Sequence, residues 1–143
     1  MSPPSWVLDT NVVVSGLLSA RGFPGRLLDA VLAGLLRVTY DDRIEAEYRE
    51  VLARPKFAIT PERREAFLSE LRNQDAVVAS PWAKPMPPDL DDLPFLEVAA
   101  LATDCVLVTG NTKHFPEHCR GSVRVLNPRQ AWARLALAPE QST

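Results

Sequence analysis

Ser5-Trp6-Val7-Leu8-Asp9-Thr10-Asn11-Val12-Val13-Val14-Ser15 is the stretch whose reading decides the fold. Trp6, Val7 and Leu8 form an apolar run that ends on a carboxylate, the pattern of a strand buried in a parallel sheet. Thr10 or Asn11 is the expected cap of a following helix, read from about Val12 to Ser19, with Asp9 itself as the alternative cap. Asp9 then stands at the carboxyl end of a central strand, where open α/β sheets place their ligands. A carboxylate buried there needs a positive partner, yet no Lys or Arg precedes Arg21. A metal cation or phosphate-linked chemistry is the natural expectation.

Outward from this stretch, apolar segments alternate with amphipathic ones. Gly22, Pro24 and Gly25 mark a break, after which Leu27, Leu28, Val31, Leu32 and Leu35 recur at helical spacing. Arg37 to Tyr40 reads as a strand, and Asp41 or Asp42 caps a helix reaching Ala53. Thr60-Pro61 opens another helix, with Pro at its first position. Ala76 to Ala79 reads as a third strand, and the prolines from Pro81 to Pro94 predict an irregular loop. A helix over Leu96 to Thr103, strands over Val106 to Thr109 and Ser122 to Leu126, and a last helix from Asn127-Pro128 to Leu137 complete the reading. Strands separated by helices predict an α/β/α sandwich with a mainly parallel sheet of four to five strands. Residues 1–137 read as one domain, and 138–143 as a disordered tail.

Composition narrows the function. Of 143 residues, 46% are hydrophobic and 24% charged, which fits an ordered globular chain rather than a disordered one. A net charge of −2 disfavours a broad basic surface gripping long stretches of nucleic acid. It permits a local basic rim around an acidic cleft in which a metal supplies positive charge. Arg37 and the Asp41-Asp42 pair interrupt the most apolar region, so no membrane span is expected. The N-terminus lacks the pattern of a signal peptide, and Cys105 and Cys119 make no disulfide framework. The expected setting is a reducing cytoplasm.

Acids gather at three places. Asp9 is the first. On the helix beginning at Asp41, Ile44, Tyr48, Val51 and Leu52 form the apolar face; Glu45 and Glu47 flank it, and either can turn inward, whereas Glu50 points away. The third is Asp89-Leu90-Asp91-Asp92, where three acids in four residues repel one another and suit a cation. Val106-Leu107-Val108-Thr109-Gly110-Asn111 is a second buried strand ending on small polar groups, followed by Lys113 and His114. Thr109 and Asn111 can hydrogen-bond a ligand, a water or a carboxylate without adding charge. A zinc site at His114, His118 and Cys119 lacks a nearby fourth ligand.

Asp9-Thr10-Asn11, a mid-chain Glu, Asp91-Asp92 before Phe95-Leu96-Glu97-Val98-Ala99, and Val108-Thr109-Gly110-Asn111 with His114-Phe115 resemble the PIN-domain ribonucleases, above all their toxin branch (VapC-like). The resemblance runs from Trp6 to about Trp132 and rests on four motifs in order. It implies catalytic and metal-binding acids at Asp9, Glu47 and Asp92, with Asp91 as the register alternative. The fourth acidic position of the family is Asn111 here, which lowers the negative charge and leaves one metal ion or two open.

The function implied by the resemblance is that of a Mg²⁺- or Mn²⁺-dependent endoribonuclease acting on single-stranded or structured RNA. Oxygen donors suit these hard cations, which polarise a phosphoryl oxygen and lower the pKa of an attacking water. Thr10, Asn11, Thr109, Asn111 and Asp91 would orient ligands and waters. Arg21, Arg26, Arg54, Lys56 and Lys113 are candidate contacts to RNA phosphates. An antitoxin partner and a homodimer are further implications of the family. One alternative is a catalytically weak PIN-like module that binds RNA or protein, which Asn111 favours. The other is a phosphatase similar to the haloacid dehalogenases, but that motif needs a second Asp where Asn11 stands, and its paired acids should follow Thr109 and Lys113 rather than precede them.

Overall fold

The computed structural model describes residues 2–137, so the expected tail at 138–143 lies outside the described residues. Its sheet contains β1 (Ser5–Leu8), β2 (Arg37–Tyr40), β3 (Asp75–Ala76), β4 (Val106–Val108) and β5 (Arg124–Leu126). All neighbouring pairs are parallel, in the order β3-β2-β1-β4-β5. The helices are α1 (Thr10–Leu18), α2 (Phe23–Leu32), α3 (Asp42–Leu52), α4 (Pro61–Glu70), α5 (Leu93–Ala99) and α6 (Pro128–Ala136). Together they make the three-layer α/β/α arrangement. Val7, Leu8, Val106, Leu107 and Val108 are fully buried, because a parallel sheet covered on both faces has no solvent side.

Strand order positions the site. From β1 the chain steps outward through β2 to β3, then returns to place β4 on the other side of β1, with β5 beyond. The direction of winding reverses between β1 and β4, and a crevice opens at their carboxyl ends. Asp9 follows β1 there and Thr109 follows β4.

Several boundaries differ from expectation, each for a local reason. The first helix begins at Thr10, and Asp9 is its cap, accepting from Thr10 N at 2.7 Å. The third strand stops at Ala76 instead of running from Ala76 to Ala79. Val77 N still donates to Tyr40 O at 2.8 Å, but β2 ends there because Asp41 turns the chain into α3; Val78, with no strand to pair with, is 95% exposed. Pro94 belongs to the first turn of α5, where a missing N–H costs nothing, so this helix starts at Leu93 rather than Leu96 and ends at Ala99 rather than Thr103. The helix α2 ends at Leu32, and Gly34 at φ 78° turns the chain away, leaving Leu32 and Leu35 exposed rather than on an apolar face. The fifth strand begins at Arg124 rather than Ser122.

Candidate functional site

Asp9 is 6% exposed, held at the junction of β1 and α1. Its Oδ1 accepts from Thr10 N, and its Oδ2 accepts from Thr109 Oγ1 at 2.8 Å and Asn11 Nδ2 at 3.3 Å. Asn11 Oδ1 in turn accepts from Gly110 N at 2.8 Å, stitching α1 to the turn after β4. Asn111 N donates to Thr109 Oγ1 at 3.1 Å. The two small polar clusters of the sequence are thus one network around a single carboxylate. Burial raises the Asp9 pKa, and the hydrogen bonds from Thr109, Thr10 and Asn11 oppose that shift.

Glu47 enters from α3, half-buried, and accepts from Thr10 Oγ1. Burial raises its pKa, and the charges of Asp9, Asp91 and Glu50 add to the effect. Glu45 turns away to pair with Arg49 at 3.0 Å, and Glu50 pairs with Arg54 at 3.2 Å, both across one helical turn. Of the two acids flanking the apolar face, Glu47 is the one that meets Thr10.

Asp92 stands immediately before α5. Its pKa is pushed up to about 6, first by burial and then by the charges of Asp9, Asp89 and Glu47, with His114 acting in the opposite direction. Its Oδ2 is buried and has no hydrogen-bond partner; the His114 ring lies beside it, with Nδ1 at 3.8 Å. On its other side the ring is held by Asn111, whose Nδ2 lies 2.9 Å from His114 Nε2. Asp91 is exposed, and its backbone N–H is taken by Asp89 Oδ1.

A buried acceptor without a donor, in a field of like charge, fits a divalent cation, and every donor in the set is oxygen. Among the described residues, however, no three His, Cys, Asp or Glu side chains are gathered tightly enough to enclose an ion between them. Asp9, Glu47 and Asp92 are linked through Thr10 and through their electric fields rather than by direct contact. The His114, His118 and Cys119 alternative forms no such group either. A depression of ≈ 320 Å³ is lined by Asn11, Val12, Ser15, Pro24, Gly110, Asn111 and Pro128, and by none of Asp9, Glu47 and Asp92.

The basic candidates stand apart from the acids. Arg54 is paired with Glu50, Lys56 lies over the Phe57 ring at 5.1 Å, and Arg26 over the Phe23 ring at 5.1 Å. Arg21 and Lys113 are exposed, and among the described residues none of the five pairs with Asp9, Glu47 or Asp92.

Sequence reasoning missed a second polar cluster. Asp41 and Glu97, each 7% exposed, share Arg43: its Nη2 lies 2.7 Å from Asp41 Oδ2 and its Nη1 2.7 Å from Glu97 Oε1. Ile44 N donates to Asp41 Oδ1 and Trp82 N to Glu97 Oε2, so all four carboxylate oxygens are satisfied. A depression of ≈ 370 Å³ lies over this cluster, but its buried acids are already paired, unlike Asp92. The available signal was Glu97 itself, an acid inside the apolar run Phe95-Leu96-Glu97-Val98-Ala99.

A family model described as a PIN domain matches residues 5–113, which takes in Asp9, Glu47, Asp92 and Thr109. No curated protein matches the chain. Among the described residues no helix is long and apolar enough to cross a membrane.

Proposed function

The chain belongs to the PIN-domain family, a nuclease superfamily, and on that footing we propose that it is a Mg²⁺- or Mn²⁺-dependent endoribonuclease serving as the toxin of a toxin–antitoxin pair. The observation that carries the reading is the buried, unpartnered Asp92 Oδ2 beside Asp9 and Glu47, at the point where the sheet reverses its winding. Asp9, Asp92 and Glu47 would hold the cation. When bound, it supplies a Lewis acid to the scissile phosphate and lowers the pKa of the attacking water.

The chain's own residues orient and exclude. Thr109 and Asn11 fix the Asp9 carboxylate by hydrogen bonds to Oδ2, and Thr10 fixes Glu47, so the acids are preorganised before substrate arrives. His114, held by Asn111 through Nε2, turns Nδ1 toward Asp92 at 3.8 Å and so borders the acid on that side. Lys113, Arg21, Arg54 and Lys56 are surface cations for the RNA backbone on this reading, and the family resemblance extends it to an antitoxin and a homodimer. Residues 1–137 act as one domain, and the free thiols of Cys105 and Cys119 suit a reducing cytoplasm.

A second reading, an RNA- or protein-binding module with little catalysis, is favoured by one observation: Asn111 occupies the fourth acidic position and is engaged with His114. The phosphatase alternative loses ground because Asn11, where that motif needs a second Asp, is spent on Gly110 N and Asp9. Incubation of single-stranded RNA with Mn²⁺ or Mg²⁺ separates the first two. Cleavage that chelation stops supports the nuclease; RNA retention without cleavage supports the binding module.

A further inference from the structure

We infer that Tyr48 is a positioning residue: its hydroxyl, donated to Leu8 O, locks α3 onto the turn that carries Asp9 and so sets where Glu47 stands against Thr10. The inference rests on the reading of Asp9 and Glu47 as metal-binding, and nothing in that reading gives Tyr48 a role.

The bond exists because β2 stops early. Arg37 N donates to Pro4 O at 2.8 Å, and β1 pairs with β2 at Ser5 and Trp6. Continued in steps of two residues, that ladder would bring Asp41 N to Leu8 O. Asp41, however, is the cap of α3, where the chain has already left the sheet. Leu8 is fully buried, and a carbonyl without a donor in that place costs about as much as a lost hydrogen bond. Tyr48 supplies the donor from α3, its hydroxyl meeting Leu8 O at 2.5 Å. The phenol has no exposed surface, and its ring meets that of Phe67 on α4 edge-on, with 5.6 Å between centroids and 69° between planes. It is therefore held at both ends.

The result is a grip on both sides of Asp9. Leu8 and Thr10, its two neighbours in the chain, are bound by two consecutive residues of α3: Leu8 O accepts from Tyr48, and Thr10 Oγ1 donates to Glu47. Consecutive side chains leave a helix about 100° apart, so the two bonds pull in different directions. One alone lets α3 roll; together they fix the helix against the turn from β1 into α1. Glu47 is half-buried on a flexible stem, whereas Tyr48 is rigid and enclosed. Tyr48 thus bears the position and Glu47 the charge, as ligand geometry requires of the groups behind a metal site.

The experiment compares Tyr48→Phe with Tyr40→Phe. Tyr40 OH donates to Leu71 O at 2.8 Å, so each substitution removes one phenol bond to a buried backbone carbonyl, and only the first lies next to Asp9. Both should lower the melting temperature to a similar extent. In folded protein, well below either melting point, Tyr48→Phe should weaken Mn²⁺ binding roughly 10- to 100-fold and lower kcat on single-stranded RNA at unchanged KM. Tyr40→Phe should leave all three as in the native chain. In chelator, Tyr48→Phe and Thr10→Val combined should lower the melting temperature by clearly less than the sum of the two alone, because losing one grip loosens the other. Native Mn²⁺ affinity in Tyr48→Phe, together with additive melting losses, overturns the inference and leaves Tyr48 as packing. Should Tyr48→Phe not fold, Phe67→Leu, which removes the other support of the ring, is titrated in its place with the same expectation. If the native chain binds no Mn²⁺, the proposed function falls, while the melting comparison, made without metal, still decides whether Tyr48 acts on the contact between Glu47 and Thr10.

Discussion

Asp9 combines two roles that compete in the sequence. It caps α1 through Oδ1 and offers Oδ2 to Thr109 and Asn11, so one carboxylate ends a strand, starts a helix and faces the crevice. Asn is an equally good cap, so Asp9→Asn is expected to melt within a few degrees of the native chain while losing at least ~100-fold of its divalent-dependent RNA cleavage. Glu47→Gln should match that loss; Glu45→Gln and Glu50→Gln, whose carboxylates pair with Arg49 and Arg54, should not. Equal damage from Glu45→Gln would place the wrong acid of α3 in the site. Asp92 gives a pH signature. Its pKa of about 6 in the folded, metal-free chain lies above the ~3.9 of an unfolded Asp. Its contribution to stability is therefore fully present below pH ~4 and is lost as pH rises through about 6. Melting curves in chelator should show the native chain losing ground to Asp92→Asn across that window, and a flat difference would refute the shift.

The elements were legible where local chemistry dominates. Asp41, Thr60 and Asn127 cap α3, α4 and α6 as their side chains allow, and Asn127 adds a reciprocal bond with Gln130. Asn127→Ala should cost about 1 kcal/mol by chemical denaturation. Boundaries set by tertiary partners were not legible: β3 ends because β2 does, and nothing within Ala76 to Ala79 records where its neighbour stops. The prolines from Pro81 to Pro94 concealed that the last of them opens α5. The candidate acids Asp9, Glu47 and Asp92 could be named one by one, but Arg43 could not be matched with Glu97, 54 positions away, because a salt bridge between helices leaves no periodic trace.

The fold binds these pieces into one crevice. The buried strands β1 (from Trp6 on) and β4 form its base, and Leu107→Ala should cost about 2–5 kcal/mol, loosening Thr109 and with it the bond to Asp9. A cation that binds only the folded chain stabilises it by linkage, so millimolar Mn²⁺ should raise the melting temperature of the native protein and leave that of Asp9→Asn almost unmoved. Whether the crevice is a metal-dependent nuclease site is decided by cleavage of single-stranded RNA by native protein and by Asp9→Asn, side by side, with Mn²⁺ and with chelator. Cleavage is expected only for the native protein with Mn²⁺; equal cleavage by both proteins, or cleavage that persists in chelator, would contradict a metal held by Asp9.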